Sequence, residues 1–289
     1  MAGYENFNRE YRLAAGRSGR KGFEIGEKNL QQPVPLHINF SLQKADLKTP
    51  NTGKVTIWNL SPAHLAVLNE KDCILSLRAG YNDHISLIFA GVVSFASTSN
   101  DGADRKTEIE VVDSLIQIRD TYIAVSYNGK VNWKTIFDDT AAQMGVAVSY
   151  SYNAKKYFKD INNGFSYVGK ARNVLDKGCN SCGLAWSIQN GVLQIKRPKD
   201  VMSKEVFVLS SDSGLIGIPA RVVVSEDDAT GTKQLGWDVE YLLNGAINID
   251  DYVKIESNIV TGYFRVYSVE MSGDNLSGDW ICKARLLEV

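Results

Sequence analysis

The sequence lacks long apolar runs, an excess of charge of either sign, and a secretion signal. No apolar run approaches the roughly 20 residues that a helix needs to cross a bilayer, so we expect no membrane insertion. The formal net charge of -1 over 289 residues provides no overall attraction to nucleic acid or to an anionic membrane. The opening stretch MAGYENFNREYRLAAGRSGRKG has no apolar centre of the kind that a signal peptide carries, and we therefore expect synthesis in a cytoplasm.

Motifs for catalysis and cofactor binding are also lacking. There is no G-x-S-x-G nucleophile elbow, and the three histidines, His37, His64 and His84, are scattered without a partner motif. The stretch GRSGRKG lacks the residue order of a phosphate-binding loop and follows no predicted strand. Asp138 and Asp139 are adjacent on a predicted helix and point in different directions, which makes them a poor acid–base pair. We expect no enzyme activity, no catalytic residue and no cofactor.

Two acidic turns offer oxygen ligands without matching the spacing of a calcium loop. The first is SEDDATGTK, with Glu226, Asp227 and Asp228, and the second is SGDNLSGDW, with Asp274, Asn275 and Asp279. Charged runs between strands are usually solvated turns. We expect no metal site, and cation binding by either turn stays open at this point.

The four cysteines include one C-x-x-C pair, Cys179 and Cys182, which is compatible with a redox centre, half of a metal site or core packing. Both fall on the apolar stripe of the predicted helix ARNVLDKGCNSC, near its C-terminal end, where the helix dipole disfavours a thiolate. A zinc site needs four ligands, and there is no second C-x-x-C and no paired histidine. We therefore expect core residues. Cys73 and Cys282 alternate with apolar residues and should face inward from strands, all four as reduced thiols.

The distribution of strand and helix patterns predicts three compact units after an N-terminal arm. Residues 1–33 have a basic bias and no lasting period, which favours either a flexible, solvated arm or an arm that orders on a partner. Residues 34–127 and 198–289 contain short strands rich in β-branched and aromatic residues, and each range predicts a small β-barrel. One short helix interrupts the first range, with Ser61 as N-cap and Pro62 at the first helical position.

Residues 128–197 predict a small α/β unit in which a helix–glycine–strand pattern occurs twice. The stretches NWKTIFDDTAAQMGVAVSY and ARNVLDKGCNSCGLAWSI superimpose so that Gly145 matches Gly183. Each glycine follows a helix, as expected for a residue with positive φ. The second copy continues into a hairpin with Asn-Gly at 190–191. The predicted fold class is mainly β with an α+β insert: two small β-barrel domains flanking a small helix–strand middle domain.

Four stretches, taken in order, carry a family resemblance. They are NTGKVTIWNLSPAHLAVLNEKDCILSLRAGY, then IFAGVVSFASTSNDGADRKTEIEVVDS, then FSYVGKARNVLDKGCNSCGLAWSIQNGVLQI, and finally GLIGIPARV with NIDDYVKIESNIVTGYFRVYSVEMSGDNLSGDW. Together they cover most of residues 35–289, and they resemble the baseplate hub proteins of contractile-tailed bacteriophages, relatives of the hub portion of type VI secretion spike proteins. One departure is INIDDYVKIE, where Asp250 and Asp251 stand at a turn that the family more often fills with Pro and Gly.

The resemblance implies a structural protein that forms a homotrimer around the axis of a phage tail. Two barrels per chain would give six similar modules per ring, a symmetry adaptor between a hexameric tail tube and a trimeric central spike. The implied partners are the tube protein or a tube initiator, the spike, and other baseplate proteins such as the tape measure protein. The implied location is the tail baseplate of the virion.

Two alternatives stay open from the sequence. A carbohydrate- or peptidoglycan-binding β-module would use Trp58, Trp237 or Tyr263 as a sugar platform, which requires an exposed aromatic row on one face. A tail-associated hydrolase would require a cleft with perturbed titratable groups around Asp138 or Asp274.

Overall fold

The computed structural model describes residues 8–26, 35–45, 50–82, 84–113, 121–226 and 233–288. These residues are mostly β-strand, and the expected mainly-β class with an α/β insert is confirmed. No helix in these ranges is long and apolar enough to cross a membrane. Two ends of the predicted arm, 1–7 and 27–34, lie outside the described residues, as do Asp227, Asp228 and the Glu226 side chain.

The strands and helices form three groups. The first half contains β1 (Arg9–Gly16), β2 (Phe23–Ile25), β3 (Ile38–Ala45), β4 (Thr52–Trp58), α1 (Pro62–Leu68), β5 (Ile74–Tyr81), β6 (His84–Asp101) and β7 (Asp104–Val112). The middle unit contains β8 (Tyr122–Tyr127), β9 (Val131–Asn132), α2 (Trp133–Met144), β10 (Ala147–Tyr150), β11 (Asp160–Ile161), β12 (Phe165–Lys170), α3 (Ala171–Cys182), β13 (Ala185–Gln189) and β14 (Val192–Lys196). The second half contains β15 (Val206–Ser210), β16 (Leu215–Glu226), β17 (Lys233–Leu242), β18 (Tyr252–Glu256), β19 (Thr261–Asp274) and β20 (Trp280–Glu288).

Hydrogen bonds join the strands of the two halves into one 13-stranded sheet. Its order is β16-β17-β20-β19-β3-β4-β7-β6-β5-β1-β2, with β18 also pairing β19 and β15 pairing β18. The halves meet where β3 pairs antiparallel with β19. Apolar side chains from both halves fill one continuous core. The domain boundaries expected from the sequence stay a prediction, because strands of both expected barrels share this sheet and this core.

Each half repeats the same strand arrangement. We number five strands along the chain in each half, β3 to β7 in the first and β16 to β20 in the second. In both halves the order of these strands across the sheet is first, second, fifth, fourth, third. The fourth strand is β6 in the first half and β19 in the second. Each contains a β-bulge close after its last residue pair with the third strand, which is β5 or β18 respectively. The bulge lies between Val93 and Phe95 in β6 and between Val266 and Ser268 in β19. The two halves are thus equivalent in strand order and in the position of this irregularity.

The N-terminal segment that the structure describes is part of the sheet, which corrects the expectation of a flexible arm for these residues. β1 pairs with β5 along its length, and β2 folds back on β1. Tyr11, Leu13 and Ala15 alternate into the core, and Leu13 is fully buried. The arginines of this segment stand between or beside these apolar residues, so the basic bias obscured a two-residue period.

The short helix of the first half begins as the sequence predicts. The Ser61 side chain accepts a hydrogen bond from the His64 N–H at 3.2 Å, and Pro62 is the first helical residue. A hydroxyl that satisfies one of the free N–H groups fixes the start of a helix as short as this one.

The middle unit has a separate core and shows the helix–glycine–strand pattern twice. α2 begins at Trp133 and α3 at Ala171. Each helix is followed directly by a glycine, Gly145 with φ of 71° and Gly183 with φ of 68°. Left-handed backbone at both ends explains why the sequence places glycine there. The strand at 122–127, which the predicted boundary at 127 assigns to the first barrel, pairs with β12 and packs into this middle core.

Close packing of the two helices depends on Gly178 in α3. A Cβ at this position would lie 2.5 Å from Phe137 Cε1 and 2.6 Å from Trp133 Cε3 on α2. Aromatic rings in a packed core cannot move aside without displacing their own neighbours.

We expect Gly178→Ala to lower the free energy of unfolding by about 1–3 kcal/mol, because overpacking outweighs the gain of about 1 kcal/mol in helix propensity. The control is Asn180→Ala, an exposed position on the same helix, which should be neutral or slightly stabilising. Thermal and urea unfolding measure both. If Gly178→Ala stabilises the protein as an exposed Gly-to-Ala change does, the inferred contact is absent.

Candidate functional site

The pairing of β3 with β19, here termed the central joint, is the one direct strand contact between the halves within the described sheet. It is a ladder of seven residue pairs that begins with Ala45 opposite Ser268. β19 divides this edge between two neighbours, because it pairs with β18 before its bulge and with β3 after it. Gly273 lets the ring of Phe40 lie against the β19 backbone, since a Cβ there would approach Phe40 Cζ to 2.4 Å.

The turn with Asp274, Asn275 and Asp279 anchors the second half to the first. A hydrogen bond of 2.8 Å joins His37 Nε2 to Asp274 Oδ2, and Asn275 Oδ1 accepts the N–H of Ile38 at 2.8 Å. These contacts use the side-chain oxygens of Asp274 and Asn275, two of the three residues that the sequence offers as cation ligands. Within the residues that the structure describes, no group of three or more His, Cys, Asp and Glu side chains is arranged to hold a metal ion.

The Asp274 carboxylate is stabilised in its charged form. Partial burial alone would raise its pKa, but hydrogen bonds from His37 and from the N–H groups of Ser277 and Leu276 lower the pKa below its usual range. The carboxylate therefore has a structural task at the end of β19, and it is held ionised at neutral pH.

The middle unit docks on the first half through the tip of its β13–β14 hairpin. Gln189 Oε1 accepts from Asn51 Nδ2 at 2.8 Å, and Gln189 Nε2 donates to the Ala45 carbonyl at 3.2 Å. The Asp113 carboxylate accepts the N–H of Asn190 at 2.9 Å. Asn51, Asp113 and Gln189 are all buried, so each of these polar groups needs its partner.

A buried charge cluster docks the middle unit on the second half. Asp250 Oδ1 is hydrogen-bonded to Lys196 Nζ of β14 and, at 2.5 Å, to Arg265 Nη1 of β19. All three side chains are at most 4% exposed. The Asp250 N–H also donates to the Val266 carbonyl, and its own carbonyl accepts the Met202 N–H. One residue thus connects three chain segments.

The backbone at Asp250 is left-handed. This residue has φ of 69°, the left-handed conformation that glycine adopts most easily and that Asp tolerates better than most residues. Aspartate stands where the resembling proteins more often have Pro and Gly, and its carboxylate meets two buried cations.

Two further titratable groups with shifted pKa values, buried Lys44 and partly buried Asp251, lie beside the central joint. Lys44 of β3 donates to Asn248 Oδ1 at 3.3 Å, and burial lowers the pKa of Lys44 to about 8. Burial raises the pKa of Asp251 to about 6, although its carboxylate accepts the Asn248 N–H at 2.7 Å. Burial accounts for the shift at Lys44 and partial burial for the shift at Asp251, so neither requires a reactive site to explain it.

The cysteines occupy core positions, as predicted. Cys179 and Cys182 lie on the buried face of α3, and Cys73 and Cys282 are completely buried in the common core. All four are free thiols, and burial raises the pKa of Cys182. The C-x-x-C pair therefore acts as packing in this fold.

The candidate carboxylates and histidines do not converge. Asp138 accepts from the Tyr150 hydroxyl at 2.6 Å, whereas Asp139 accepts from the Tyr127 hydroxyl at 2.5 Å on another side of α2. His37 stacks on a tryptophan ring and His64 on a phenylalanine ring, in separate parts of the first half. No nucleophile–base pair of the kind required for hydrolysis occurs among these residues.

The candidate aromatic residues do not form a row. Trp58 stacks on His37 with ring centroids 3.9 Å apart, and its position alternates with the buried face of β4. Trp237 lies on the core side of β17 with Arg221 above its ring, whereas Tyr263 stacks on Tyr252 near the start of β19. Residues on different faces and strands do not provide the flat platform that sugar binding uses.

Two strand edges, which sequence reasoning did not single out, carry exposed apolar residues. Beyond its bulge, β6 pairs only with β7 among the described strands, and Phe95 there is 57% exposed. β16 is the end strand of the sheet. Ile218 and Val223 on β16 and Leu235 on the neighbouring β17 are 46–74% exposed. The signal in the sequence is the length of β6, which at 18 residues runs far past β5.

Comparison with known proteins finds matches in structure alone. No protein-family profile and no curated protein matches the sequence. The 43 kDa tail protein of prophage MuSo2 from Shewanella oneidensis superimposes with a TM-score of 0.62 at 11% identity, over 97% of this chain and 98% of that one. A tail protein from Neisseria meningitidis MC58 gives 0.60 at 10% identity, over 96% and 97%.

A third match connects the fold to secretion systems. The E. coli c3393 protein, a component of the type VI secretion system similar to the T4 bacteriophage tail proteins gp27 and gp5, gives a TM-score of 0.58 at 8% identity, over 92% of this chain and 77% of that one. The chain therefore has the fold of phage tail proteins and of this secretion component. The resemblance inferred from the sequence is confirmed at the level of the fold.

We expect Asp250→Asn to destabilise the protein by about 3–5 kcal/mol, because Lys196 and Arg265 would stay buried without their carboxylate. Asparagine tolerates positive φ, so the change removes the charge without adding backbone strain. The control is Asp238→Asn, whose ion pair with Arg285 is about half exposed and should contribute less than about 1 kcal/mol. Urea unfolding measures both, and equal losses would show that the buried cluster contributes no more than a surface pair.

We expect Asp251→Asn to become more stable relative to the wild type as pH rises from about 4 to about 6. The folded wild type holds its proton up to about pH 6, whereas the unfolded chain releases it near pH 4, so ionisation costs the wild type about 3 kcal/mol in this window. Unfolding free energies at pH 4, 5, 6 and 7 measure the difference. Asp274→Asn is the control: because the pKa of Asp274 is lowered, its stability relative to the wild type should stay nearly constant above about pH 5 and should rise only as pH falls below about 4. Parallel curves for both variants between about pH 4 and about pH 6 would contradict the assignment.

Proposed function

We propose that this protein is a structural subunit of a phage-type tail baseplate, a hub in which three copies form a ring. Each copy contributes two equivalent five-strand units, so the ring has six similar modules around a threefold axis. Such a ring joins a hexameric tail tube to a trimeric central spike.

The observation that supports this proposal is the repeated strand order on one polypeptide. The arrangement first, second, fifth, fourth, third occurs in both halves, and a bulge occupies the same place in each. A sixfold partner needs equivalent surfaces at sixty-degree intervals, and a threefold partner needs them at twice that spacing. Two similar but not identical units per chain meet both requirements.

The partners that this function requires are a tube protein or tube initiator, the central spike, and other baseplate proteins such as the tape measure protein. The proposed location is the tail baseplate of the virion. The role is non-enzymatic, and the buried cysteines, paired carboxylates and separated histidines of the described residues are consistent with it.

The test is the molar mass of the purified chain, measured by size-exclusion chromatography with light scattering, alone and mixed with the spike and tube proteins of the same tail. We expect a particle of three times the 31.9 kDa chain, either alone or once the spike is present. A chain that stays monomeric alone and in both mixtures would overturn the proposal. A dimer or a hexamer as the stable state would do the same.

A further inference from the structure

We propose that the edge of β6 beyond its bulge pairs with β16 of a second copy of this chain. The proposal rests on the proposed function and deepens it, because it assigns the contact that closes the ring. The central joint is the template: within one chain, β19 beyond its bulge pairs with β3. The repeated strand order makes β6 the equivalent of β19, and β16 the equivalent of β3.

Both strand edges are available for this pairing. In the described structure, β6 from Phe95 to Asp101 has β7 on one side and no strand on the other. β16 pairs with β17 and ends the sheet. Unpaired strand edges present a row of N–H and C=O groups, which can form a ladder with a strand of another chain.

The register of the intermolecular ladder follows from the intramolecular one. The bulges align Phe95 with Ser268, which makes Ser97 the equivalent of Glu270. The partner strands β3 and β16 are aligned through their neighbours β4 and β17. Gln43 of β3 lies opposite Thr52 of β4, and Val222 of β16 lies opposite Gly236 of β17. Thr52 pairs with the β7 residue that lies opposite β6 just before the bulge of β6. Gly236 pairs with the β20 residue that lies opposite β19 just before the bulge of β19, so Thr52 and Gly236 are equivalent.

Within the chain, Glu270 lies opposite Gln43. The derived register therefore places Ser97 of one copy opposite Val222 of the next. Pro219 has no N–H, and β16 is irregular between Ile216 and Ala220. The intermolecular ladder therefore runs from Ala220 to Val223 and is shorter than the central joint.

The burial of equivalent residues supports the same contact. Lys44 lies beside the central joint, where it contacts Asn248 of the second half, and is 3% exposed. Its equivalent on the free edge, Val223, is 46% exposed, although it is more apolar. Apolar side chains exposed at a position that is covered in the other half indicate a missing neighbour of the same kind. A second copy supplies that neighbour, because its first half carries the required edge.

The test is a disulfide cross-link in the assembled protein, in the same preparation used for the mass measurement. The variant Ser97→Cys with Val222→Cys should form an intermolecular disulfide on mild oxidation, because directly opposed residues of antiparallel strands have Cα atoms about 4.5–5.5 Å apart, within the range that a disulfide spans. Each copy would link to a neighbour on either side, so the covalent products should end at a trimer. The native cysteines do not compete, since all four are buried.

Two matched variants control the geometry. Gln43→Cys with Glu270→Cys places the same pair at the central joint and should give an intramolecular disulfide with no change in mass. Ser97→Cys with Lys283→Cys places the second thiol on β20, two strands inward from the edge of β16, and should give no cross-link.

The outcomes separate the two proposals. If the wild type is trimeric and the intramolecular control forms while Ser97→Cys with Val222→Cys gives no covalent trimer, the edge assignment is overturned and the hub function stands. If no trimer forms under any condition, both fall. Cross-linking to a tube protein in place of a second copy would also overturn the assignment.

A second measurement needs no variant. Amide hydrogen exchange of the wild-type protein should slow within residues 96–99 and 220–223, at the N–H groups that face the new partner, in the trimer relative to the dissociated chain. The central joint should be protected in both. Unchanged exchange at the two edges would contradict the pairing.

Discussion

The structure depends on one strand edge that serves two neighbours. β19 pairs with β18 up to its bulge and with β3 beyond it, so a single irregularity directs the same strand from its own half into the other. A bulge inserts one residue into one strand and increases the local twist, which turns the edge toward a new partner. The common core then forms because side chains from both halves point to the same side of this joint. Without the pairing of β3 and β19, each half would expose a hydrophobic face.

The middle unit is held by polar contacts, while the two halves are held mainly by apolar ones. At one end, Asn51, Asp113 and Gln189 exchange hydrogen bonds around the hairpin tip. At the other, Asp250 connects Lys196 to Arg265. Buried polar networks contribute little net stability compared with apolar packing of the same volume, but they tolerate few alternative arrangements. The orientation of the middle unit relative to the sheet is therefore specified at two separate points.

Local signals in the sequence predicted the local structure. Ser61, Gly145 and Gly183 mark helix ends because caps depend on neighbouring residues, and the periodicity around Cys179 and Cys182 predicted their burial. The N-terminal strand was missed because its basic residues obscured the alternation. The central joint had no local signal, since its partners are more than 200 residues apart in the chain. Asp250 resembled an ordinary polar turn residue, because its cationic partners are 54 and 15 residues away.

The covalent connection of two equivalent units changes how a ring of this kind depends on dilution. Six separate modules would form six contacts, each governed by the concentration of free protein. In the proposed ring every second contact would be the central joint, which forms during folding at an effective concentration set by the connecting chain. Only the contacts between copies respond to mass action. Dilution would therefore separate the proposed ring at the edges of β6 and β16 into intact two-module chains. Each chain would keep its own central joint, so the three chains together would retain three of the six contacts.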